Sequence, residues 1–444
     1  MTKLFGTDGV RGVAGTGLSA PLAQKLGVGA ARVLSPRPGE KVLVGRDTRV
    51  SGPMLESAVV SGLLAAGCDV VFGGVLPTPV IAYLTDKQGF VAGVVISASH
   101  NPAGDNGIKF LAHNGRKLPD ELERRIEEEV DRFDEIELAS GTDVGKWSVD
   151  ETLVPDYESH AASALGGRLD GMRIVVDCAN GAFSRIAPEV IARLGGGVVG
   201  IHNFPNGLNI NDGCGSLNPE SMTEAVKALD ADLGVSFDGD GDRAILCDEK
   251  GRIFDGDHVM AACGKWLHEQ GRLPGATVVG TVMSNLGLEI ALRKEGITLL
   301  RAAVGDRYVR EDMDHTGAVL GGEKSGHVIF GDLVPTGDGL ITTLMVLRVM
   351  RETGQRLSEL GKLIEEYPQV LINVPVARRE GWDEIPAITD AIRTAQESLS
   401  DHGRVLVRPS GTESILRVMV ESPDQAEVDR HANAIADAIR RHLT

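Results

Sequence analysis

Cysteine is scarce in this chain, basic residues are outnumbered, and long apolar runs are missing. Each shortage excludes a class of protein. The five cysteines, Cys68, Cys178, Cys214, Cys247 and Cys263, are scattered and form no Cys-x-x-Cys pair. An odd, dispersed set argues against a disulfide framework and a thiolate zinc site, and leaves most of them as small core residues. Lys and Arg total 45 against 63 Asp and Glu, a formal net charge of −18. Such a surface repels nucleic acid and anionic membrane, so neither is expected as a partner. No apolar stretch approaches the ~20 residues that span a bilayer. The opening Met-Thr-Lys-Leu-Phe-Gly-Thr-Asp-Gly lacks the apolar core of a secretory signal. The expectation is a cytoplasmic protein.

What the sequence does have is length and alternation. Its 444 residues exceed one ordinary core, and 42% hydrophobic with 24% charged is a globular balance. Short β-branched runs alternate with helical patterns. Lys41–Gly45 reads as a strand, followed by Ser51-Gly52-Pro53 and a helix to about Ala66. Val91–Ile96 reads as a buried strand. Met172–Asp177, a helix through Ala182–Leu194, and Val198–His202 repeat the pattern, as do Thr277–Met283, a helix from Asn285, and Thr298–Ala302. This alternation predicts an α/β fold of three related domains with mostly parallel sheets. From about Tyr367 the order changes to strand, helix, two strands and a closing helix, Asp424–His442, which predicts a smaller C-terminal α+β domain. The expected divisions are 1–153, 154–256, 257–366 and 367–444.

Asp238-Gly239-Asp240-Gly241-Asp242-Arg243 follows the strand-like Asp232–Phe237. Three carboxylates this close repel one another and call for a cation; hard oxygen donors suit Mg²⁺ or Ca²⁺. The spacing imitates an EF-hand, but the sixth position there must be glycine and here is Arg243. Ile96-Ser97-Ala98-Ser99-His100-Asn101-Pro102 ends a buried strand, where α/β sheets bind ligands. Lys109 follows on Ile108–Leu111 and returns a cation toward the same place. Beside a metal site, Ser99 becomes a candidate phosphoryl carrier, since such transfer depends on positioning and charge neutralisation. Arg408-Pro409-Ser410-Gly411-Thr412-Glu413, with Arg417, offers hydroxyls, backbone N–H groups and a guanidinium fork for a phosphate dianion. Gly322-Glu323-Lys324-Ser325-Gly326-His327 has side chains able to bond sugar hydroxyls, and Gly6-Thr7-Asp8-Gly9-Val10-Arg11-Gly12 places an arginine for an anion or is a plain turn. Arg46-Asp47-Thr48-Arg49 reads as an exposed salt-bridged loop.

In order and spacing, from Gly6 to Glu413, these segments resemble the α-D-phosphohexomutase superfamily. The opening motif, Gly45–Arg49 and Val304-Gly305-Asp306-Arg307-Tyr308-Val309 are similar to its branch acting on glucosamine phosphates. The resemblance implies four domains around a central cleft. It also implies an isomerase that interconverts glucosamine 6-phosphate and glucosamine 1-phosphate on the route to amino-sugar nucleotides and cell-wall precursors. Ser99 matches the phosphoserine, which with Asp238, Asp240 and Asp242 holds Mg²⁺. Arg11 and Lys109 match basic residues flanking the reacting phosphate, and His100 and Arg243 lie in the same motifs. Glu323, Ser325 and His327 match the sugar loop, and Gly305 and Asp306 a loop that sets substrate orientation. Arg408, Ser410, Gly411, Thr412 and Arg417 match the loop for the phosphate that is not reacting. Ser414 and Lys324 depart from the pattern, which usually has proline and, in the glucosamine branch, often glutamine.

The implied mechanism passes the phosphoryl group of Ser99 to a small-molecule sugar phosphate, through a hexosamine or hexose 1,6-bisphosphate that also serves as activator. Mannose or glucose phosphates are alternative substrates. A phosphoserine phosphatase and a catalytically inactive phosphosugar-binding regulator are the other readings. Oligomeric state is not legible, a homodimer being one option.

Overall fold

The computed structural model of the protein describes residues 3–6, 8–34, 40–410 and 414–443. Four sheets follow one another along it. The first holds β1 (Val10–Val13), β2 (Lys41–Arg46), β3 (Asp69–Val75), β4 (Ala92–Ile96), β5 (Asp105–Ala112) and β6 (Trp147–Val149). The second holds β7 (Arg173–Asp177), β8 (Gly197–Ile201), β9 (Leu233–Phe237), β10 (Ala244–Asp248) and β11 (Ile253–Phe254). The third is built from β12 (Thr277–Thr281), β13 (Thr298–Ala302), β14 (Leu320–Gly322) and β15 (Val328–Phe330). The fourth is antiparallel, with β16 (Gln369–Pro375), β17 (Arg404–Pro409) and β18 (Ile415–Glu421).

The repeat that the sequence carries only faintly is plain in the topology. Sheet orders run β5-β4-β2-β3, β10-β9-β7-β8 and β15-β14-β12-β13 in the first three sheets. Each time three strands pair in parallel and the next strand folds back antiparallel. The sheets are thus mixed: a parallel set carrying an antiparallel neighbour, a common compromise in α/β folds. The fold-back links are Ser97–Gly104, Asp238–Arg243 and Glu323–His327, three of the chemically distinctive loops. The fourth, around Ser410, links β17 to β18.

Local physics accounts for most element bounds. Pro53 sits in the first turn of helix Gly52–Ala65, where its missing N–H costs nothing. The helix expected over 182–194 is divided: a 3₁₀ turn, Ala182–Ser184, precedes helix Ile186–Arg193, with Arg185 between them at φ −102° and ψ −53°. Helix Pro386–Leu399 begins at its proline, which fits a first turn and cannot serve an interior one.

The protein divides into two compact units, Met1–Met283 with Ile297–Leu363, and Ser284–Gly296 with Ile364–Thr444. Strand β4 is buried along its whole length in the first unit, in a core it shares with helices Ala20–Leu34 and Gly52–Ala65. In the second unit, helix Gln425–Leu443 turns Val428, Ala432, Ile435, Ile439 and Leu443 into the core. That 3.6-residue stripe contributes roughly 1.5–3 kcal/mol for each large aliphatic side chain it buries. Among the described residues, no helix is long and apolar enough to cross a membrane.

Candidate active site

Ser99 and the aspartate loop meet at the ends of β4 and β9. Ser99 is 3% exposed, and its Oγ donates to Asp238 Oδ2 at 2.6 Å. Asp238 Oδ1 in turn accepts the N–H groups of Gly241 (3.1 Å) and Arg243 (3.2 Å). Gly241 makes that turn possible: its φ is +78°, and a Cβ there would lie 2.3 Å from the Phe183 ring. Three of the loop's carbonyls are satisfied from outside it, Gly239 by Ala182 N–H, Asp240 by Thr78 N–H and Gly241 by Gly339 N–H. These bonds hold the loop's backbone in place around its carboxylates.

One oxygen from each of Asp238, Asp240 and Asp242 lies within 4.8 Å of the others, and all three residues are buried. Thr78 Oγ1 donates to Asp240 Oδ2 at 2.6 Å. Among the described residues, Asp240 Oδ1 and Asp242 Oδ1 have no hydrogen-bond partner. Burial, then the neighbouring carboxylates, push the Asp238 carboxyl well up; Asp240 is also raised, by burial and Asp242, against the pull of Lys109. Asp242 goes the other way. Burial opposes ionisation there, but the His327 ring, Arg243 and Lys109 hold its carboxyl below the ordinary range. Buried, orphaned, hard oxygens crowded together are a donor set for a divalent cation of the Mg²⁺ kind.

Cations close the other side. Asp8 bridges Lys109 and Arg11, one carboxylate oxygen to each. Burial works against that carboxylate, yet the two cations keep its pKa low. Burial also opposes charge on Lys109, but Asp8, Asp306, Asp240 and Asp242 raise its pKa, so it stays an ammonium ion. His100 Nδ1 lies 3.2 Å from Ser99 Oγ, and burial with Arg243 and Arg11 pushes the ring down to about 4, leaving it neutral.

The sugar-type loop adjoins these groups through backbone bonds, Gly326 C=O accepting from Ala244 N–H at 3.1 Å. Glu323 Oε1 accepts the Gly305 N–H at 3.0 Å, so the loop that carries Asp306 is tied to it. Ser325 is exposed. His327 is 2% exposed: Gly337 N–H lies 3.1 Å from Nε2, Nδ1 lies 3.4 Å from Asp242 Oδ2, and although burial works against charge, Asp242, Asp306 and Glu323 push the ring up to about 9. Lys324 Nζ lies 3.6 Å from Asp255 Oδ2.

In the second unit, Arg408 and Arg417 face each other across β17 and β18. Like charges directly opposite are unfavourable unless an anion joins them. Burial and Arg417 lower the Arg408 pKa. Ser410 is 3% exposed, and its C=O accepts from Arg379 Nη1 at 2.8 Å. Gly411 and Thr412, expected in the same loop, lie outside the described residues.

Sequence reasoning missed several participants. Asp8 stands three residues before Arg11, a spacing that signals a pair. Thr78 opens helix Thr78–Lys87, between two prolines. The Arg46–Arg49 segment is the clear correction: Asp47 is 1% and Arg49 0% exposed, a buried ion pair at 2.8 Å rather than a solvated loop. A second group, Asp177, His202 and Cys214, also clusters. There, however, Asp177 Oδ1 meets Ala179 N–H and His202 Nδ1, and Oδ2 meets Gly215 N–H and Ser236 Oγ. Its lone pairs are filled, so it braces the backbone.

Family models cover most of the sequence: the phosphoglucomutase/phosphomannomutase alpha/beta/alpha domains I, II and III match residues 2–137, 156–251 and 255–367, and the C-terminal domain matches 371–438. The chain belongs to the phosphoglucomutase/phosphomannomutase family. Within it, the protein is 49% identical to the phosphoglucosamine mutase of Symbiobacterium thermophilum, the match spanning 100% of both. It is 51% identical to that of Desulforudis audaxviator, over 96% of this protein and 95% of the relative. A crystal structure of a phosphoglucomutase/phosphomannomutase family protein from Burkholderia thailandensis superimposes with a TM-score of 0.83 at 25% identity, over 99% of this protein and 98% of that one.

Proposed function

We propose that this protein interconverts glucosamine 6-phosphate and glucosamine 1-phosphate through a phosphorylated Ser99 and a hexosamine 1,6-bisphosphate, supplying amino-sugar nucleotide and cell-wall precursor synthesis. The observation that carries the reading is the Ser99 Oγ–Asp238 Oδ2 bond of 2.6 Å, at the edge of three buried carboxylates. The phosphoglucosamine mutase relatives, matched over nearly the whole length, support the choice of sugar.

In this reading Asp238, Asp240, Asp242 and phospho-Ser99 hold Mg²⁺, and the ion supplies charge neutralisation for the phosphoryl oxygens. Lys109 and Arg11, fixed by Asp8, flank the phosphoryl group as permanent cations. The bond from phosphorus to Ser99 Oγ breaks as one to the free sugar hydroxyl forms, and the hydroxyl proton ends on Oγ. With His100 neutral, Asp238 is the acceptor toward which that proton points in the unphosphorylated protein. Arg243, Glu323, Ser325, Gly305 and Asp306 are assigned to the sugar. His327, buried against Asp242, orients that carboxylate instead. Arg408, Ser410, Gly411, Thr412 and Arg417 are assigned to the second phosphate. The working divisions are 1–153, 154–256, 257–366 and 367–444.

The test follows the phosphorus NMR spectrum of glucosamine 6-phosphate with protein, Mg²⁺ and a trace of glucosamine 1,6-bisphosphate. A growing 1-phosphate resonance is expected, and Ser99→Ala should slow it by about a thousandfold or more, some 4 kcal/mol of barrier. Full turnover by Ser99→Ala sinks the mechanism. Faster conversion of mannose or glucose 1-phosphate overturns the sugar.

A further inference from the structure

The turn that carries Ser99 is held from both sides by side chains outside it. Ser99 adopts φ +49°, a left-handed conformation that an ordinary residue keeps only when its surroundings over-determine it. Its N–H donates to Ser97 Oγ (2.9 Å), and Ser97 Oγ donates to Asp47 Oδ2 (2.6 Å). Its C=O accepts from Arg49 Nη2 (3.0 Å) and Asn211 Nδ2 (2.9 Å). The same two groups reach the Asn101 C=O at 2.8 and 3.1 Å, and Arg49 Nη1 donates to the Pro102 C=O. Arg49 Nε returns to Asp47 Oδ2 at 2.8 Å. One inaccessible ion pair therefore grips both peptide groups of Ser99, through Ser97 on one side and directly on the other.

Asn211 brings the second sheet into the same grip. It lies between β8 and β9, is itself left-handed at φ +58°, and donates its N–H to the Ala179 C=O at 2.9 Å. Gly239 presses in beside it: a Cβ there would stand 2.7 Å from the Ser99 oxygen and 2.8 Å from Asn211 Nδ2. The aspartate loop and the serine turn are thus set against one shared carbonyl.

We infer that Arg49, Asp47 and Asn211 are positioning residues, which lock Ser99 in the left-handed turn that aims Oγ at Asp238 and on which phosphoryl transfer depends. The inference rests on the reading of Ser99 as the phosphoryl carrier. Two donors that each reach both the Ser99 and the Asn101 carbonyls fix the turn better than one, and a nucleophile displaced by an ångström loses about a hundredfold in rate.

Asn211→Asp and Asn211→Gly test it without disturbing the backbone, since both residues tolerate positive φ while neither supplies the donor. Expected are a fall in kcat of about tenfold to a hundredfold, KM within about twofold, and a melting temperature within a few degrees of the parent. Amide exchange at Ser99 to Asn101, read by mass spectrometry on peptides spanning the turn, should quicken by about tenfold. Arg49→Lys, which keeps the charge and loses the fork, should act in the same direction. Parental kcat in both Asn211 variants overturns the inference, as does unchanged exchange in the turn. If the parent itself turns over no sugar phosphate, the carrier reading fails, and the exchange rates still decide whether the clamp holds the turn.

Discussion

Thr78 reaches Asp240 twice, its hydroxyl donating to Oδ2 at 2.6 Å and its N–H to the backbone carbonyl at 2.9 Å. The first sheet's helix Thr78–Lys87 thereby fixes a carboxylate of the second sheet's loop, leaving Oδ1 for a cation. Removing the hydroxyl while keeping the shape, as in Thr78→Val, should weaken Mg²⁺ activation by about tenfold, the usual scale for a partner of a metal ligand. Titrating activity with Mg²⁺ measures it; an unchanged activation constant would show that Asp240 is placed without Thr78.

Metal removal should register on stability. Three buried carboxylates cost less once a cation joins them, so EDTA should lower the melting temperature and Mg²⁺ restore it. At a hundred times its Kd the ion adds about 2.7 kcal/mol. Protons compete for Asp238 and Asp240, whose carboxyls are raised chiefly by burial. The apparent Mg²⁺ affinity should therefore fall as pH is lowered. A thermal-shift series across pH and Mg²⁺ checks both signs, and a pH-independent shift contradicts them.

A separate pH effect comes from a buried carboxyl that is not one of the loop's three aspartates. Asp338 caps helix Gly339–Thr353 and accepts the Tyr157 hydroxyl at 2.7 Å; burial pushes its carboxyl up to about 6. Between the unfolded value, 3.8, and the folded one, the native protein holds a proton that the unfolded chain has lost. The stability from this group is complete below the lower value and lost as pH rises through the upper, roughly 3 kcal/mol in all. Asp338→Asn should gain on the parent in urea unfolding as pH rises from about 4 to 7. Parallel curves would mean that Asp338 is not the titrating group.

All five cysteines are buried free thiols. Burial pushes Cys68, Cys214, Cys247 and Cys263 up to about 12, and Cys178 well above its ordinary value. Thiolates are the reactive form. Ellman's reagent should label none rapidly in the native protein and all five in denaturant; prompt native labelling would place one of them at the surface.

The aspartate loop was legible because it is local: strand, then alternating aspartate and glycine, with the chemistry in one stretch. Ser99 was legible as the end of a buried strand. Asn211 was not, because nothing nearby in sequence shows that its amide ends on a carbonyl 112 residues away. Arg49 misled for a related reason: a run of alternating charges looks solvated until packing buries it, and burial depends on the Ser99, Asn101 and Pro102 carbonyls it meets. The repeat was visible as alternation of elements but not as residue identity, since strand order is set by pairing and many apolar sequences satisfy the same pairing.

A serine gripped at both of its peptide groups cannot swing toward one end of a substrate and then the other. On the proposed route, phosphorus leaves and rejoins the same oxygen in the same place, so both half-reactions are one geometry used twice. The moving part is then the sugar. Selectivity becomes a demand for pseudo-symmetry: an acceptable substrate offers either of two arms to one fixed point, and a sugar that fits one way only accepts a phosphoryl group and stalls as the bisphosphate.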